Sequence, residues 1–122
     1  MSSDVLVVED EAALAKVLKM RLEIEGFSVR TAGDGAEAMA MIRDRHPDVI
    51  VCDLMMPVMD GFEVTRALKQ DPQLKSIPLL ILSARKVQKE IDQLTRLGVD
   101  GFIAKPFDSK ELTNKVKHFA RG

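Results

Sequence analysis

Four short apolar runs, each ending in a polar or charged residue, constrain this chain more than any other feature. They are Val5-Leu-Val-Val-Glu-Asp10, Asp48-Val-Ile-Val-Cys-Asp53, Pro78-Leu-Leu-Ile-Leu-Ser83 and Gly101-Phe-Ile-Ala-Lys105. A short run that is apolar without alternation reads as a strand buried on both faces, the condition of a parallel sheet between helices. If all four are parallel strands, Glu9, Asp10, Asp53, Ser83 and Lys105 emerge at one edge of one sheet. Three carboxylates, a hydroxyl and an ammonium in one pocket suit a divalent cation and a phosphoryl group.

The segments between the runs carry helical signals. Residues 11–25 place Leu14, Val17, Leu18 and Leu22 on an inner face, and Gly26 supplies a stop. Residues 28–32 read as a further short strand. Asp34 with Glu37 three residues on has the capping-box spacing that opens a second helix, with Met39 and Ile42 inward and Pro47 marking the break after it. A third helix over 61–70 turns Val64, Ala67 and Leu68 inward, and Asp71-Pro72 begins a turn. Val87, Ile91 and Leu94 space a fourth helix that Gly98 ends. Asp108 and Glu111 repeat the capping signal before a fifth helix carrying Leu112, Val116 and Phe119. Strand followed by helix, repeated with right-handed crossovers, predicts an α/β doubly wound parallel sheet with helices on both faces.

A chain of 122 residues suits one domain, here 1–122, with a core of its own. Apolar residues make up 46% and charged residues 30%, and no apolar stretch is long enough to span a bilayer. Met1-Ser-Ser-Asp4 runs into the first strand without the basic and apolar regions of a signal peptide, so a cytoplasmic location is expected. The formal net charge of −1 gives no general attraction to nucleic acid or anionic lipid, so neither direct DNA binding nor membrane binding is expected. Arg85, Lys86, Lys89, Lys110, Lys115 and Lys117 bias the last third towards positive charge, a solvated helix face or a partner surface. Cys52 is the single cysteine, so no internal disulfide can form, and its apolar neighbours predict a buried thiol. His46 and His118 lie outside the acidic grouping.

In their order and spacing, strand-Glu-Asp, strand-Asp-Leu-Met-Met-Pro-Val-Met-Asp-Gly, strand-Ser-Ala and Lys-Pro-Phe resemble a response-regulator receiver domain of two-component phosphorelay signalling. The resemblance covers essentially the whole chain. It implies a flavodoxin-like (βα)5 fold, a five-stranded parallel sheet of order 2-1-3-4-5. It also implies a switch that accepts a phosphoryl group on Asp53 from a histidine kinase or histidine phosphotransfer protein. Catalysis would then be confined to its own phosphorylation and dephosphorylation, with no turnover of an external substrate.

The same resemblance assigns the remaining roles. Asp10, Asp53 and the main-chain carbonyl of Met55 would ligate Mg2+ directly, with Glu9 acting through water. A hard cation with oxygen ligands relieves the repulsion among these carboxylates. Lys105 would pair with Asp53 and its phosphate, aimed by a cis bond to Pro106. Ser83 would donate its hydroxyl to the phosphoryl group and move Phe102 between rotamers, although Phe102 lacks the hydroxyl of the tyrosine common at that place. Met55 and Arg85 would sit on the pocket rim. Gly61 after Asp60 fits a tight junction from loop to helix. Output would pass through the face of helix 4, strand 5 and helix 5, in a monomer or a phosphorylation-dependent dimer.

Three other readings compete. A phosphatase with an aspartyl-phosphate intermediate, of the haloacid dehalogenase kind, needs a second aspartate two residues after the nucleophile, where this chain has Met55. A nucleotide- or flavin-binding module needs a glycine-rich phosphate loop after the first strand, where Glu9-Asp10-Glu11 stands instead. An inactive receiver-like module that only binds proteins would keep the fold without the chemistry.

Overall fold

A computed structural model describes residues 3–84 and 87–120. Five strands and five helices alternate: β1 Asp4–Val8, α1 Ala12–Ile24, β2 Ser28–Ala32, α2 Gly35–Asp44, β3 Val49–Asp53, α3 Gly61–Lys69, β4 Leu79–Ser83, α4 Gln88–Leu97, β5 Gly101–Ala104 and α5 Ser109–Ala120. The strands form one sheet in the order β2-β1-β3-β4-β5, and every pairing is parallel. This is the expected (βα)5 arrangement with order 2-1-3-4-5. No helix among the described residues is long and apolar enough to cross a membrane.

The unbroken apolar runs have a direct cause in the packing. In β1, Leu6 and Val8 face one layer while Val5 and Val7 face the other, because successive side chains alternate across a strand. One layer joins Leu6, Val8, Ile50, Cys52, Leu79 and Ile81 to Ala38, Met39 and Ile42 of α2 and Val64 and Leu68 of α3. The other joins Val5, Val7, Val49, Val51, Leu80 and Leu82 to Leu18 and Leu22 of α1 and Leu112 and Val116 of α5. Each fully buried aliphatic side chain contributes about 1.5–3 kcal/mol, so β1, β3 and β4 are held by both layers.

Two inner-face assignments change. Val17 is 43% exposed, because Ala15, Leu18 and Leu22 form the stripe of α1 that meets the sheet and Val17 lies off it. Val87 is the exposed N-cap residue of α4, which begins at Gln88 and buries Leu94. Gly98 ends α4 in the left-handed region, φ 109°, with its N–H on the Leu94 and Thr95 carbonyls. The Asp34 side chain accepts the Glu37 N–H as expected, but Glu37 reaches back to the Gly33 N–H and not to that of Asp34.

The chain runs from β1 outward to β2, then crosses to β3 on the other side of β1. The winding therefore reverses between β1 and β3, and the crevice beyond their carboxyl ends is where a ligand fits this architecture. Glu9 and Asp10 follow β1, and Asp53 ends β3.

Candidate functional site

Asp53 and Glu9 are buried, 5% and 2% exposed, while Asp10 beside them is exposed. One carboxylate oxygen from each lies within 4.8 Å of the others. Lys105, one residue beyond β5, reaches into the same crevice with its Nζ 3.0 Å from Glu9 Oε1 and 3.1 Å from Asp53 Oδ1. Its backbone is tied by its N–H to the Ser83 carbonyl at 3.0 Å, and the Lys105-Pro106 bond is cis, as the resemblance implied. The direct pairing of Lys105 with Glu9 had no signal in the sequence. It arises because β1 and β5 lie on opposite sides of β3 and β4, so a long side chain must cross the mouth of the crevice.

Burial raises the Asp53 carboxyl above the usual carboxylate range, against the pull of Lys105 and with a smaller push from the Asp10 charge. Glu9 is raised too, again chiefly by burial, although the Glu11 N–H on Oε2 at 3.0 Å and Lys105 both favour its charged form. For Lys105, burial alone would lower the ammonium, but pairing with Glu9 and Asp53 outweighs it and the net direction is upward. The neighbouring Cys52 thiol is pushed far up by burial and by the nearby carboxylates. It stays protonated in the core, with its Sγ 3.3 Å from the Asp53 carbonyl.

The donor set suits a hard divalent cation. All three side chains offer carboxylate oxygens, and Glu9 Oε1 is buried with an ion pair but no directed hydrogen bond. Met55 stands two residues past Asp53 and is 52% exposed. The carbonyl before it, that of Leu54, is already taken by the Gly61 N–H at 2.8 Å.

Gly61 shows why this end of the site needs a glycine. A Cβ there would lie 2.8 Å from Leu54 Cα and 2.9 Å from the Asp53 carbonyl oxygen. The α3 N-terminus is thus pressed against the strand that carries Asp53. Asp60 and Glu63 close a complete capping box on it, with Asp60 accepting the Glu63 N–H at 3.0 Å and Glu63 accepting the Asp60 N–H at 3.2 Å. The Asp-x-x-Glu spacing of Asp60 and Glu63 is a signal for this box that the sequence itself carries.

Ser83 ends β4, half-buried, and with Phe102, Gln88, Ile91 and Glu111 it lines a cavity of about 350 Å3. Phe102 also packs on the core layer of α2 and α3, and its carbonyl accepts a hydrogen bond from Lys115 Nζ. The two residues of the expected switch therefore share one cavity next to the acidic crevice. Arg85 lies outside the described residues.

Comparison with known proteins gives this geometry a context. Residues 5–117 match the response regulator receiver domain family. The phosphate regulon transcriptional regulatory protein PhoB of Rhizobium meliloti is 38% identical over 121 residues, which cover 99% of this chain and 53% of that protein. The chain spans about half the length of the curated relatives it matches. Among solved structures, the chemotaxis response regulator CheY4 of Vibrio cholerae is 31% identical with a TM-score of 0.91, covering 98% of this chain and 99% of that one. The signal receiver domain of a signal transduction histidine kinase from Syntrophus aciditrophicus is 33% identical with a TM-score of 0.92, covering 99% and 92%. Fold and matched sequence agree, and the chain belongs to the response-regulator receiver domain family of two-component signalling.

Proposed function

We propose that residues 1–122 form one receiver domain that takes a phosphoryl group on Asp53 from a histidine kinase or a histidine phosphotransfer protein. The observation that carries this reading is the Lys105 ammonium set between two buried carboxylates, 3.0 Å from Glu9 and 3.1 Å from Asp53, in a crevice with three converging acids. Asp10, Asp53 and the Met55 carbonyl would hold Mg2+, with Glu9 acting through water. When bound, the cation supplies positive charge for the phosphoryl oxygens and offsets repulsion among the carboxylates.

The chain's own groups supply the rest. An Asp53 carboxylate oxygen forms the new bond to phosphorus as the bond to the donor breaks, and the donor leaves with that electron pair. Lys105 is placed to pair with the transferred phosphoryl oxygens, holding negative charge that builds during transfer and remains in the acyl phosphate. Ser83 donates its hydroxyl hydrogen to a phosphoryl oxygen. That contact draws the end of β4 inward and changes the packing of Phe102 in the shared cavity. Catalysis is confined to this self-modification and its reversal. The altered face of α4, β5 and α5 then meets an output protein or domain in the cytoplasm, either as a monomer or by pairing with a second copy.

Intact-protein mass spectrometry after acetyl phosphate treatment, with and without Mg2+, tests the reading on wild type and Asp53→Asn. One phosphoryl group that needs both Mg2+ and Asp53 supports it. Full labelling of Asp53→Asn overturns the site. Absence of labelling in the wild type under conditions that preserve acyl phosphates points instead to an inactive receiver-like binding module.

A further inference from the structure

The loop from β3 to α3 is pinned at both ends and in its middle. Leu54 is buried, with its N–H on the Leu82 carbonyl at 3.1 Å and its carbonyl on the Gly61 N–H. Pro57 has a ring-fixed φ, and Asp60 is held by the capping box. The chain takes up the mismatch at Val58, whose φ of 68° makes it the one non-glycine residue with positive φ among the described residues. The Met59 N–H donates back to the Pro57 carbonyl at 2.7 Å, so Val58 centres a γ-turn of the rare, strained kind. A β-branched residue is poorly suited to that conformation. At 79% exposure, its side chain gains little packing in return.

The strained turn is wedged against α2. Met59 packs on the core layer of α2 and α3. A Cβ on Gly35, the buried first residue of α2, would lie 2.4 Å from the Met59 carbonyl oxygen and 2.8 Å from Met59 Cβ. Loop backbone and helix backbone therefore meet with no clearance, and a shift of one must displace the other. On the other side of Val58, Met55 lies two residues from Asp53. A segment whose local preference and tertiary contacts disagree is the kind that holds two arrangements of similar energy.

We propose that this contact is a second conformational outlet of the phosphorylation site, carrying the state of Asp53 through the Val58 turn and Met59 to the N-terminal turn of α2. It runs towards the β2 edge of the sheet, whereas Ser83 and Phe102 lie towards the β5 edge. The inference rests on the reading of Asp53 as phosphoacceptor. Coupling is reciprocal, so a change imposed at Gly35 must also be felt at the pocket.

The test is amide NMR of the 122-residue chain titrated with Mg2+ and beryllofluoride, a tetrahedral mimic of a phosphoryl group on a carboxylate. In the wild type the Ser83 and Lys105 amides shift, and those of residues 33–38 shift with them. Val58→Gly places a swivel between Met55 and Met59, so the shifts at 33–38 fall several-fold while those of Ser83 and Lys105 persist. Gly35→Ala, whose added methyl must displace Met59, raises the beryllofluoride concentration at half-saturation several-fold. Shifts at Ser83 and Lys105 without any at 33–38, or shifts at 33–38 undiminished in Val58→Gly, overturn the outlet and leave the phosphorylation site standing. Unshifted Ser83 and Lys105 amides in the wild type overturn the phosphorylation site, and the outlet falls with it. If Gly35→Ala does not fold, Val58→Gly decides.

Discussion

The Lys105 ammonium lies 3.1 Å from Asp53 Oδ1 while also reaching Glu9 Oε1, so one positive charge serves two buried carboxylates. The pair is electrostatically incomplete: burial still raises both acids, and the crevice favours additional positive charge.

Lys105→Ala separates the role of the ammonium from that of a cation. Phosphoryl labelling by acetyl phosphate should slow on the order of 10²-fold, the scale seen when one preorganised donor to a developing charge is removed. Mg2+ affinity, read by titration calorimetry, should be retained because no carboxylate is lost. Labelling at the wild-type rate would remove Lys105 from the chemistry.

Asp53→Asn should stabilise the Mg2+-free protein at neutral pH, by about 1 kcal/mol. The sign follows from the raised pKa of Asp53. A carboxyl whose folded pKa exceeds its unfolded value contributes fully below the ordinary carboxylate range, and that contribution is lost as pH rises through the folded value. The stability difference between variant and wild type, from denaturant melts at several pH values, should therefore grow from acid to neutral pH. A difference that shrinks with rising pH would contradict the raised carboxyl.

Asp10 is exposed, so Asp10→Asn should change stability by no more than about 0.5 kcal/mol. Loss of a charged ligand should weaken Mg2+ binding by roughly tenfold or more, or about 1.4 kcal/mol. Calorimetry with wild-type affinity would exclude Asp10 from the coordination.

The same substitution at two glycines should destabilise the fold in both cases but slow labelling in only one. Gly61→Ala puts a methyl 2.8 Å from Leu54 Cα, so it should cost about 1–3 kcal/mol and slow labelling by displacing Asp53. Gly26 has φ 95° and open space around it, so Gly26→Ala should lower the unfolding midpoint through backbone strain alone, with labelling unchanged. Equal labelling in the two variants would argue against close coupling between Gly61 and Asp53.

Much of the architecture was legible because burial on both faces leaves a plain mark. The runs ending at Glu9, Asp53 and Ser83 are the strands that both helix layers cover, whereas the run ending at Lys105 is the edge strand β5 and buries Ile103 alone. Helix faces were less legible: Val17 and Val87 have the right spacing and the wrong environment, since periodicity cannot tell the centre of a stripe from its margin or a first turn from a cap. The Asp60 and Glu63 box carried a readable signal. The strain at Val58 carried none, because φ there is set by Leu54, Met59 and Gly61 being held at once.

The sequence by itself determined which residues could meet: alternating strands and helices oblige the carboxyl ends of parallel strands to share an edge, whatever the details of packing. Only the tertiary structure decided how they meet. Lys105 lying between Glu9 and Asp53, Lys69 on Asp100 at 3.4 Å and Arg30 on Asp4 at 2.7 Å are pairings between residues distant in sequence. Such pairings depend on strand order, side-chain reach and burial together, and none of these is a local property of the chain.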